Sequence, residues 1–116
     1  MNNFEIQSDL QYLGFYYGAI DGKIGWQTRN AIKSFQKSME LTVDGIFGEK
    51  STKKMLEVIK AIQKAIGCTL IDGIVGYETI EKTKQYQMRN NLQIDGIARN
   101  QDQSQDIPEW KCLLMG

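Results

Sequence analysis

The sequence predicts an all-α fold in which two tandem helical lobes share a long central helix. Apolar residues recur at the three- and four-residue spacing of amphipathic helices. A short phrase beginning Asp-Gly occurs four times in 116 residues. Its copies come in pairs, because Asp21 and Asp44 are 23 positions apart and so are Asp72 and Asp95. An equal period in the two halves indicates a tandem duplication.

Four helices are predicted between the turn phrases, each from its own apolar series. The first carries Phe4, Ile6, Leu10 and Leu13, and the second Thr28, Ala31, Ile32, Phe35 and Met39. The third runs from about Glu49 to Ile66 with Met55, Leu56, Ile59, Ile62 and Ile66, and joins the lobes. The fourth, about Tyr77 to Asn91, has a more polar stripe of Ile80, Thr83, Tyr86, Gln87 and Asn90. We therefore expect the second lobe to pack more loosely.

Each Asp-Gly phrase is predicted to form a tight turn that leads into a helix. Aspartate accepts hydrogen bonds from backbone N–H groups just ahead of it, and glycine tolerates a positive φ. Hydroxyl residues follow three positions after the second glycine, where we expect them to satisfy first-turn N–H groups: Thr28, Ser51 and Thr79. The side chains between the glycines are predicted to enter the core: Ile24, Phe47, Val75 and Ala98.

The composition excludes several classes of function. Lys plus Arg and Asp plus Glu both number 14, so no net charge attracts the chain to nucleic acid or an anionic membrane. Histidine is absent, which removes the commonest zinc ligand and the usual general base. Cys68 and Cys112 are too far apart in sequence for a metal-binding or redox pair. We predict no catalytic residues, no metal and no cofactor.

The residues of the first lobe resemble the peptidoglycan-binding domain of the type-1 family. The resemblance covers about residues 4 to 57 and rests on three stretches: Ile6-Gln7 with Leu10 and Leu13-Gly14-Phe15-Tyr16, then Asp21-Gly22 through Phe35-Gln36, then Leu41 with Asp44-Gly45-Ile46-Phe47-Gly48. Family members are three-helix modules, usually non-catalytic, that hold cell-wall hydrolases on peptidoglycan. The resemblance implies that fold and that role here.

A second, degenerate copy is expected in the second half of the chain. It is carried by Ile62-Gln63, Asp72-Gly73, Tyr86-Gln87 and Asp95-Gly96, with a first loop two residues shorter and Arg99 in place of the last glycine. The predicted domains are residues 1–57, residues 58–99 and a C-terminal tail of residues 100–116. Pro108 is predicted to open a last short turn in that tail.

The predicted ligand site consists of exposed aromatic side chains flanked by charges. Trp26 follows the first turn glycine and Tyr77 occupies the same position in the second copy. The two rings either form a platform for sugars or staple the helix starts to neighbouring loops. One of Tyr16 and Tyr17 is expected to cover the core. Three charged residues complete the predicted set. Lys23 and Arg29 either pair with a stem-peptide carboxylate or are ordinary solvated charges, and Asp21 forms the turn.

Three other functions are weighed. A small muramidase would need two paired carboxylates, and its candidate acids lie on predicted polar helix faces: Glu5, Glu40, Glu49, Glu78 and Glu81. A helix-turn-helix nucleic-acid binder would use the lysines of the long helix, but no aromatic residues flank them. A Ca²⁺-binding repeat would need several oxygen donors per loop, and each turn offers one carboxylate.

The sequence is therefore interpreted as a non-catalytic module that binds peptidoglycan, both glycan strand and stem peptide. It would target a fused or associated cell-wall hydrolase, or a phage or endolysin component, to the wall. The alternative is a structural docking module of a phage or tail-like particle. Met1 to Glu5 carry no signal-peptide pattern, so we expect a wall-associated protein exported by another route. No nucleic acid or membrane partner is expected.

Overall fold

The computed structural model describes residues 1–91 and 93–98, and this part of the chain is helical with no β-strand. The helices are α1 (Asn3–Tyr12), α2 (Trp26–Ser38), α3 (Glu49–Ile66) and α4 (Tyr77–Arg89). The predicted all-α class is confirmed, and α3 has the predicted bounds of the central helix. Arg99 and the predicted tail, residues 100–116, lie outside the described residues.

The helix starts follow two different capping schemes. Before α1, the Asn2 side chain accepts from the backbone N–H of Glu5, whose carboxylate accepts from the backbone N–H of Asn2 in return. This reciprocal capping box satisfies two donors at once. The other three helices begin after a glycine with extended backbone and no side-chain cap: Gly25, Gly48 and Gly76. Their starts must therefore be positioned by other contacts.

One continuous hydrophobic core contains residues from α1, α2 and α3, with α4 packed against it. Helix α1 packs against α2, and α3 against α4. Several side chains of α3 are fully enclosed in this core, namely Met55, Val58, Ile59 and Ile62. At the centre of the first half, the Phe35 ring lies edge-on to Phe15 at 5.9 Å and is stacked on Phe47 at 5.8 Å. Phe47 and its counterparts Ile24, Val75 and Ala98 pack into or against this core, as predicted.

Buried glutamine side chains hold the four Asp-Gly turns, and we call each such arrangement a glutamine–turn unit. The four glutamines are Gln7, Gln36, Gln63 and Gln87, and each is at most 2% exposed. In the second unit, the Gln36 side-chain oxygen accepts from the backbone N–H groups of Asp44 (3.1 Å) and Gly45 (3.0 Å). Its amide nitrogen lies 2.9 Å from both the Asp44 carboxylate and the Ile46 carbonyl oxygen. One side chain thus satisfies most of the turn's buried polar groups.

The bonds to the glycine N–H, the carboxylate and the carbonyl oxygen recur in the other three units, and the bond to the aspartate N–H recurs in the third and fourth. Gln7 bonds to Asp21, Gly22 and Lys23, Gln63 to Asp72, Gly73 and Ile74, and Gln87 to Asp95, Gly96 and Ile97. In every unit the aspartate carboxylate also accepts from the backbone N–H two residues ahead, as predicted. The four turns are therefore built alike.

The prediction for the hydroxyl residues of the helix starts was wrong. Each of Thr28, Ser51 and Thr79 has its hydroxyl oxygen 3.1 Å from the amide nitrogen of a unit glutamine. Thr28 and Thr79 also donate to a carbonyl oxygen of the turn. These bonds take the place of the predicted ones to first-turn N–H groups. The hydroxyls therefore fasten each new helix to the preceding turn instead of capping it.

The first glycine of each turn is closely covered by side chains from the preceding helix. Gly45 has a φ of +75°, and a Cβ atom there would lie 2.9 Å from Cγ of Arg29 and 3.0 Å from Cε of Lys33. The corresponding covers are Phe4 over Gly22, Leu56 and Lys60 over Gly73, and Ile80 and Lys84 over Gly96. Both the backbone conformation and the space therefore require glycine.

Three side chains predicted for the buried stripes lie outside the core. Leu56 is only partly buried, and its side chain covers Gly73. Phe4 is 55% exposed, because it covers Gly22 at the surface instead of packing inward. Asn90 is exposed at the C-terminal cap of α4, and its amide donates to the carbonyl oxygen of Tyr86. The polar character predicted for α4 is observed, since its buried residues are Thr79, Thr83 and Gln87.

A polar contact joins the first and fourth helices inside the molecule. The Tyr12 and Thr83 hydroxyl oxygens are 2.7 Å apart, and Thr83 donates to the carbonyl oxygen of Thr79. With its own proton so engaged, Thr83 accepts from Tyr12, and burial raises the pKa of that phenol. The backbone N–H of Ala98 donates to the Tyr12 carbonyl oxygen at 2.7 Å. Tyr12 therefore ties the fourth turn to α1.

The remaining features of the described residues give no sign of a metal or membrane site. Within residues 1–91 and 93–98 there is no group of three metal-ligating side chains. Among the helices described, none is long and apolar enough to cross a membrane. Cys68 is a buried free thiol, and Cys112 lies outside the described residues.

Replacing Gln36 with alanine should destabilise the protein by about 2 to 4 kcal/mol, because buried N–H and carbonyl groups of the second turn lose their partner. Gln11, an exposed residue of α1, is the matched control, and Gln11→Ala should change the unfolding free energy by less than about 0.5 kcal/mol. Urea unfolding measures both variants. Equal stability of the two would contradict the role assigned to the glutamine.

Serine at Gly45 should cost about 1 to 3 kcal/mol, because its Cβ requires a left-handed backbone and displaces the stem of Arg29. The same substitution at Gly48, which has a φ of −95° and open space around its Cα, should be neutral or stabilise by a few tenths of a kcal/mol by adding a helix cap. Thermal unfolding of the pair distinguishes them. A larger loss at Gly48 would refute the steric role of the first turn glycine.

Acid should destabilise the turns. Backbone N–H groups, and then the glutamine amides, lower the pKa values of Asp21, Asp44 and Asp72 below the ordinary 3.8. Their contribution is therefore complete above the unfolded pKa and is lost as the pH falls through the folded values. In Asp44→Asn, an acceptor oxygen remains but does not titrate, so the urea midpoint should fall less steeply below about pH 4. An unchanged slope would count against this assignment.

Candidate functional site

An aromatic cleft lies beside the start of α2 and has a volume of about 190 Å³. The loop after α1 supplies one wall and α2 supplies the other. We call it the aromatic cleft, and its lining residues are Phe15, Tyr16, Tyr17, Trp26, Gln27, Asn30, Ala31 and Ser34. The structure thus brings together three of the predicted site residues, namely Tyr16, Tyr17 and Trp26.

Two exposed aromatic rings form the rim of this cleft. Trp26 is 76% exposed and Tyr17 is 68% exposed. Trp26 is the first residue of α2, directly after the uncapped Gly25. The inward face of α2 is occupied by Thr28, Ala31 and other buried residues, which leaves the indole outside. The predicted exposure of Trp26 is therefore confirmed.

Tyr16 is the residue that holds the loop in place. It is buried, and its hydroxyl donates to the Ala19 carbonyl oxygen at 2.5 Å. Its backbone N–H reaches the Leu10 carbonyl oxygen at the end of α1. A Cβ at Gly18 would lie 2.7 Å from the Tyr16 hydroxyl oxygen, so the loop passes too close for a larger residue. With Tyr16 turned inward, Tyr17 is directed to solvent.

Neutral polar side chains complete the cleft along α2. Gln27, Asn30 and Ser34 are exposed, and no residue lining the cleft carries a formal charge. Trp26, Asn30 and Ser34 are spaced four residues apart, which places them on one face of the helix. The sequence analysis did not predict Gln27, Asn30 or Ser34 as site residues. The four-residue spacing from Trp26 was an available signal for Asn30 and Ser34. Exposed aromatic rings beside amide and hydroxyl groups suit a neutral, hydroxyl-rich ligand.

The charged residues predicted for the site lie elsewhere. Asp21 belongs to the first glutamine–turn unit, where it accepts from Gln7 and from the Lys23 backbone. The Lys23 side chain is exposed on that turn. The stem of Arg29 covers Gly45 in the second turn. None of the three lines the aromatic cleft, because Asp21 and Lys23 belong to the first turn and the Arg29 stem lies over the second.

The second half presents its aromatic residue in a different setting. Tyr77 is the first residue of α4 and is 82% exposed. The shorter loop before it has Thr69 and Leu70 where the first half has Tyr16 and Tyr17. The Glu78 carboxylate accepts from the backbone N–H groups of both residues. A hydrogen bond from the Thr69 side chain, and then these two backbone N–H groups, lower the pKa of Glu78. Tyr77 therefore stands without a ring equivalent to Tyr17.

A larger cleft, about 290 Å³, surrounds the start of α3. It is lined by Gln36, Leu41, Thr42, Asp44, Ile46, Gly48, Glu49, Lys50 and Ser51. None of these side chains is aromatic, and the Gln36 amide already bonds to both the Asp44 carboxylate and the Ser51 hydroxyl. Chemistry rather than volume therefore favours the aromatic cleft as the ligand site.

Comparison with known proteins places the first half of the fold in a recognised group. Residues 4–56 match the family described as putative peptidoglycan binding domain. The chain is similar to the spore cortex-lytic enzyme of Bacillus cereus, with 52% identity over 52 residues that make up 45% of this chain and 20% of that protein. It is 43% identical over 53 residues to the spore cortex-lytic enzyme of Oceanobacillus iheyensis, covering 46% of this chain and 19% of the relative.

A third relative extends the similarity to an amidase. The N-acetylmuramoyl-L-alanine amidase CwlM of Mycobacterium tuberculosis is 44% identical over 50 residues, which are 43% of this chain and 12% of the amidase. The matched segments thus span about a fifth or less of these relatives. No solved structure matches the chain. Residues 4–56, which contain α1, α2 and the aromatic cleft, therefore carry a domain of the putative peptidoglycan binding family.

Proposed function

We propose that this chain is a non-catalytic module that binds peptidoglycan through the aromatic cleft. The observation that carries the proposal is the position of Tyr17 and Trp26, two exposed rings on an uncharged polar cleft inside the matched domain. Glycan strands present apolar sugar faces flanked by hydroxyl and N-acetyl groups. Such faces stack on aromatic rings while their polar edges bond to amides such as those of Gln27 and Asn30.

The similar proteins support a targeting role. Two of these relatives are named for lysis of the spore cortex, and the third is named as an N-acetylmuramoyl-L-alanine amidase. The similarity to each covers a small part of the relative's length. We therefore propose that the module directs a fused or associated hydrolase to the wall or cortex, and that no bond is cleaved by the module itself.

We further propose that residues 58–99 form a second, degenerate lobe, with residues 1–57 as the first. The support is the recurrence of the glutamine–turn unit around Gln63 and Gln87, together with Tyr77 at the position of Trp26. A shallow cleft binds weakly, so two lobes on a repeating polymer would gain through effective concentration. Because the loop before Tyr77 supplies no ring equivalent to Tyr17 among the described residues, we expect the contribution of Tyr77 to be smaller than that of Trp26.

Wall retention tests the cleft directly. Trp26→Ala should reduce retention on purified insoluble peptidoglycan about fivefold to thirtyfold, because a ring contact worth about 1 to 2 kcal/mol is lost. Tyr17→Ala should have a smaller effect in the same direction, and Trp26→Phe should retain part of the binding. Tyr77→Ala measures the proposed second lobe. Binding isotherms from co-sedimentation give the apparent Kd of each variant.

Ile46→Ala is the matched control, since Ile46 is an exposed large apolar residue outside the aromatic cleft. It should leave wall retention unchanged, and urea unfolding should show all variants folded. Retention that survives both Trp26→Ala and Tyr17→Ala would rule out this cleft. Absence of retention in the wild type would favour the docking-module alternative, and soluble muropeptides released in the incubation would contradict the non-catalytic role.

A further inference from the structure

A third cleft lies beside α1 and contains a buried carboxyl group. It has a volume of about 210 Å³, and we call it the α1 cleft. Helix α1 and the N-terminal residue supply Met1, Phe4, Glu5, Ser8 and Asp9, and the facing wall comes from Leu56 of α3 and from Gly73, Ile74 and Val75 of the third turn. Nothing in the proposed glycan contact uses these residues.

Asp9 is the unusual member of this cleft. It is only 7% exposed, which is rare for a carboxyl group without a partner. No hydrogen bond or ion pair within residues 1–91 and 93–98 reaches its side chain, although a buried carboxylate normally has both. Burial, and to a lesser degree the neighbouring Glu5 carboxylate, raises the pKa of Asp9 to about 7.

The charged groups around the cleft do not neutralise Asp9. On α1, the Glu5 carboxylate is engaged in the capping box with the Asn2 backbone. On the third turn, the Asp72 carboxylate accepts from Ile74 and Gln63. From α3, the stem of Lys60 lies over Gly73, and Met1 lines the cleft, yet neither the Lys60 ammonium nor the Met1 amino group contributes to the shift of the Asp9 pKa. The cleft therefore has a negative site with no positive partner among the described residues.

The apolar side chains that line the α1 cleft determine which kind of cation would fit. Phe4, Ile74 and Met1 are exposed apolar side chains, and Leu56 and Val75 are partly buried. A strongly hydrated metal ion would gain nothing from such walls. A primary ammonium on an alkyl stem matches both parts, because the stem contacts the apolar walls and the ammonium donates to Asp9 and to the exposed Ser8 hydroxyl.

We propose that the α1 cleft binds the free alkylammonium group of a wall stem peptide, with Asp9 as its carboxylate partner. The choice of source rests on the proposed wall-binding function. Stem peptides carry free side-chain amines on short alkyl stems, and the aromatic cleft leaves these unrecognised because it is uncharged. The glycan and the peptide would thus bind to two separate clefts that share no lining residue.

A small-molecule titration tests the cleft independently of the wall. n-Butylammonium added to the wild-type protein should move the NMR signal of the Asp9 carboxyl carbon and lower its titration midpoint, whereas n-butanol should do neither. Binding should strengthen between about pH 6 and pH 8 as Asp9 ionises. In Asp9→Asn, the affinity reported by the Gly73 and Ile74 backbone signals should fall about tenfold or more. Glu57→Gln, at an exposed acid of α3 outside the cleft, should match the wild type.

Retention on purified peptidoglycan with acetylated amines is the second experiment. Acetylation of its free amines should reduce wild-type retention severalfold, while retention of Asp9→Asn should not respond, and urea unfolding should show that variant folded. No carbon shift with n-butylammonium, or equal affinity in Asp9→Asn, would overturn the site. Unchanged wild-type retention on acetylated wall would overturn the stem-peptide source. Binding of n-butylammonium without any wall retention would overturn the proposed function and the wall source together.

Discussion

The structure depends on one interaction repeated along the chain, a buried glutamine side chain that bonds to the backbone of an Asp-Gly turn. A tight turn leaves several N–H and carbonyl groups unpaired, and burying them without partners would cost more than a small core can supply. The glutamine has both a donor and an acceptor at its end, so one residue satisfies both kinds of group. The turn can therefore lie against the core, and the next helix starts from a defined place.

This constraint explains how a short chain presents a ligand surface. Gln7 bonds to the first turn and to Thr28 of α2, which sets the position and direction of that helix. Trp26 then stands at the helix start with its ring outside. Tyr16, whose hydroxyl oxygen lies 3.5 Å from the Gln7 amide nitrogen, anchors the opposite loop and directs Tyr17 outward. The buried hydrogen bonds of Gln7 therefore position both walls of the exposed aromatic cleft.

Much of the fold could be predicted from the sequence because apolar spacing and glycine positions report local structure. The bounds of α3 follow from an uninterrupted apolar series between Gly48 and Gly67, and the exposure of Trp26 follows from the helical face occupied by Thr28 and Ala31. The role of the glutamines could not be predicted in this way, since a buried amide departs from the usual preference of polar residues for the surface. Their recurrence after Ile6, Phe35, Ile62 and Tyr86 was the available signal.

The site was less predictable than the fold, for a physical reason. Arg29 follows Trp26 by about one helical turn, yet its stem lies over Gly45 of the second turn and takes no part in the aromatic cleft. The burial of Asp9 likewise depends on the third turn, more than 60 residues away along the chain. Contacts of that separation leave no trace in local periodicity.

Amide hydrogen exchange of the native protein is the most direct measurement of the central claim. The backbone N–H groups of Gly22, Gly45, Gly73 and Gly96 donate to buried glutamine oxygens. They should therefore exchange as slowly as the core amides of α2 and α3, through global unfolding. Exchange at the rapid rate of surface loops would show that the glutamines do not hold the turns. It would contradict the claim that the fold, the aromatic cleft and the α1 cleft depend on this interaction.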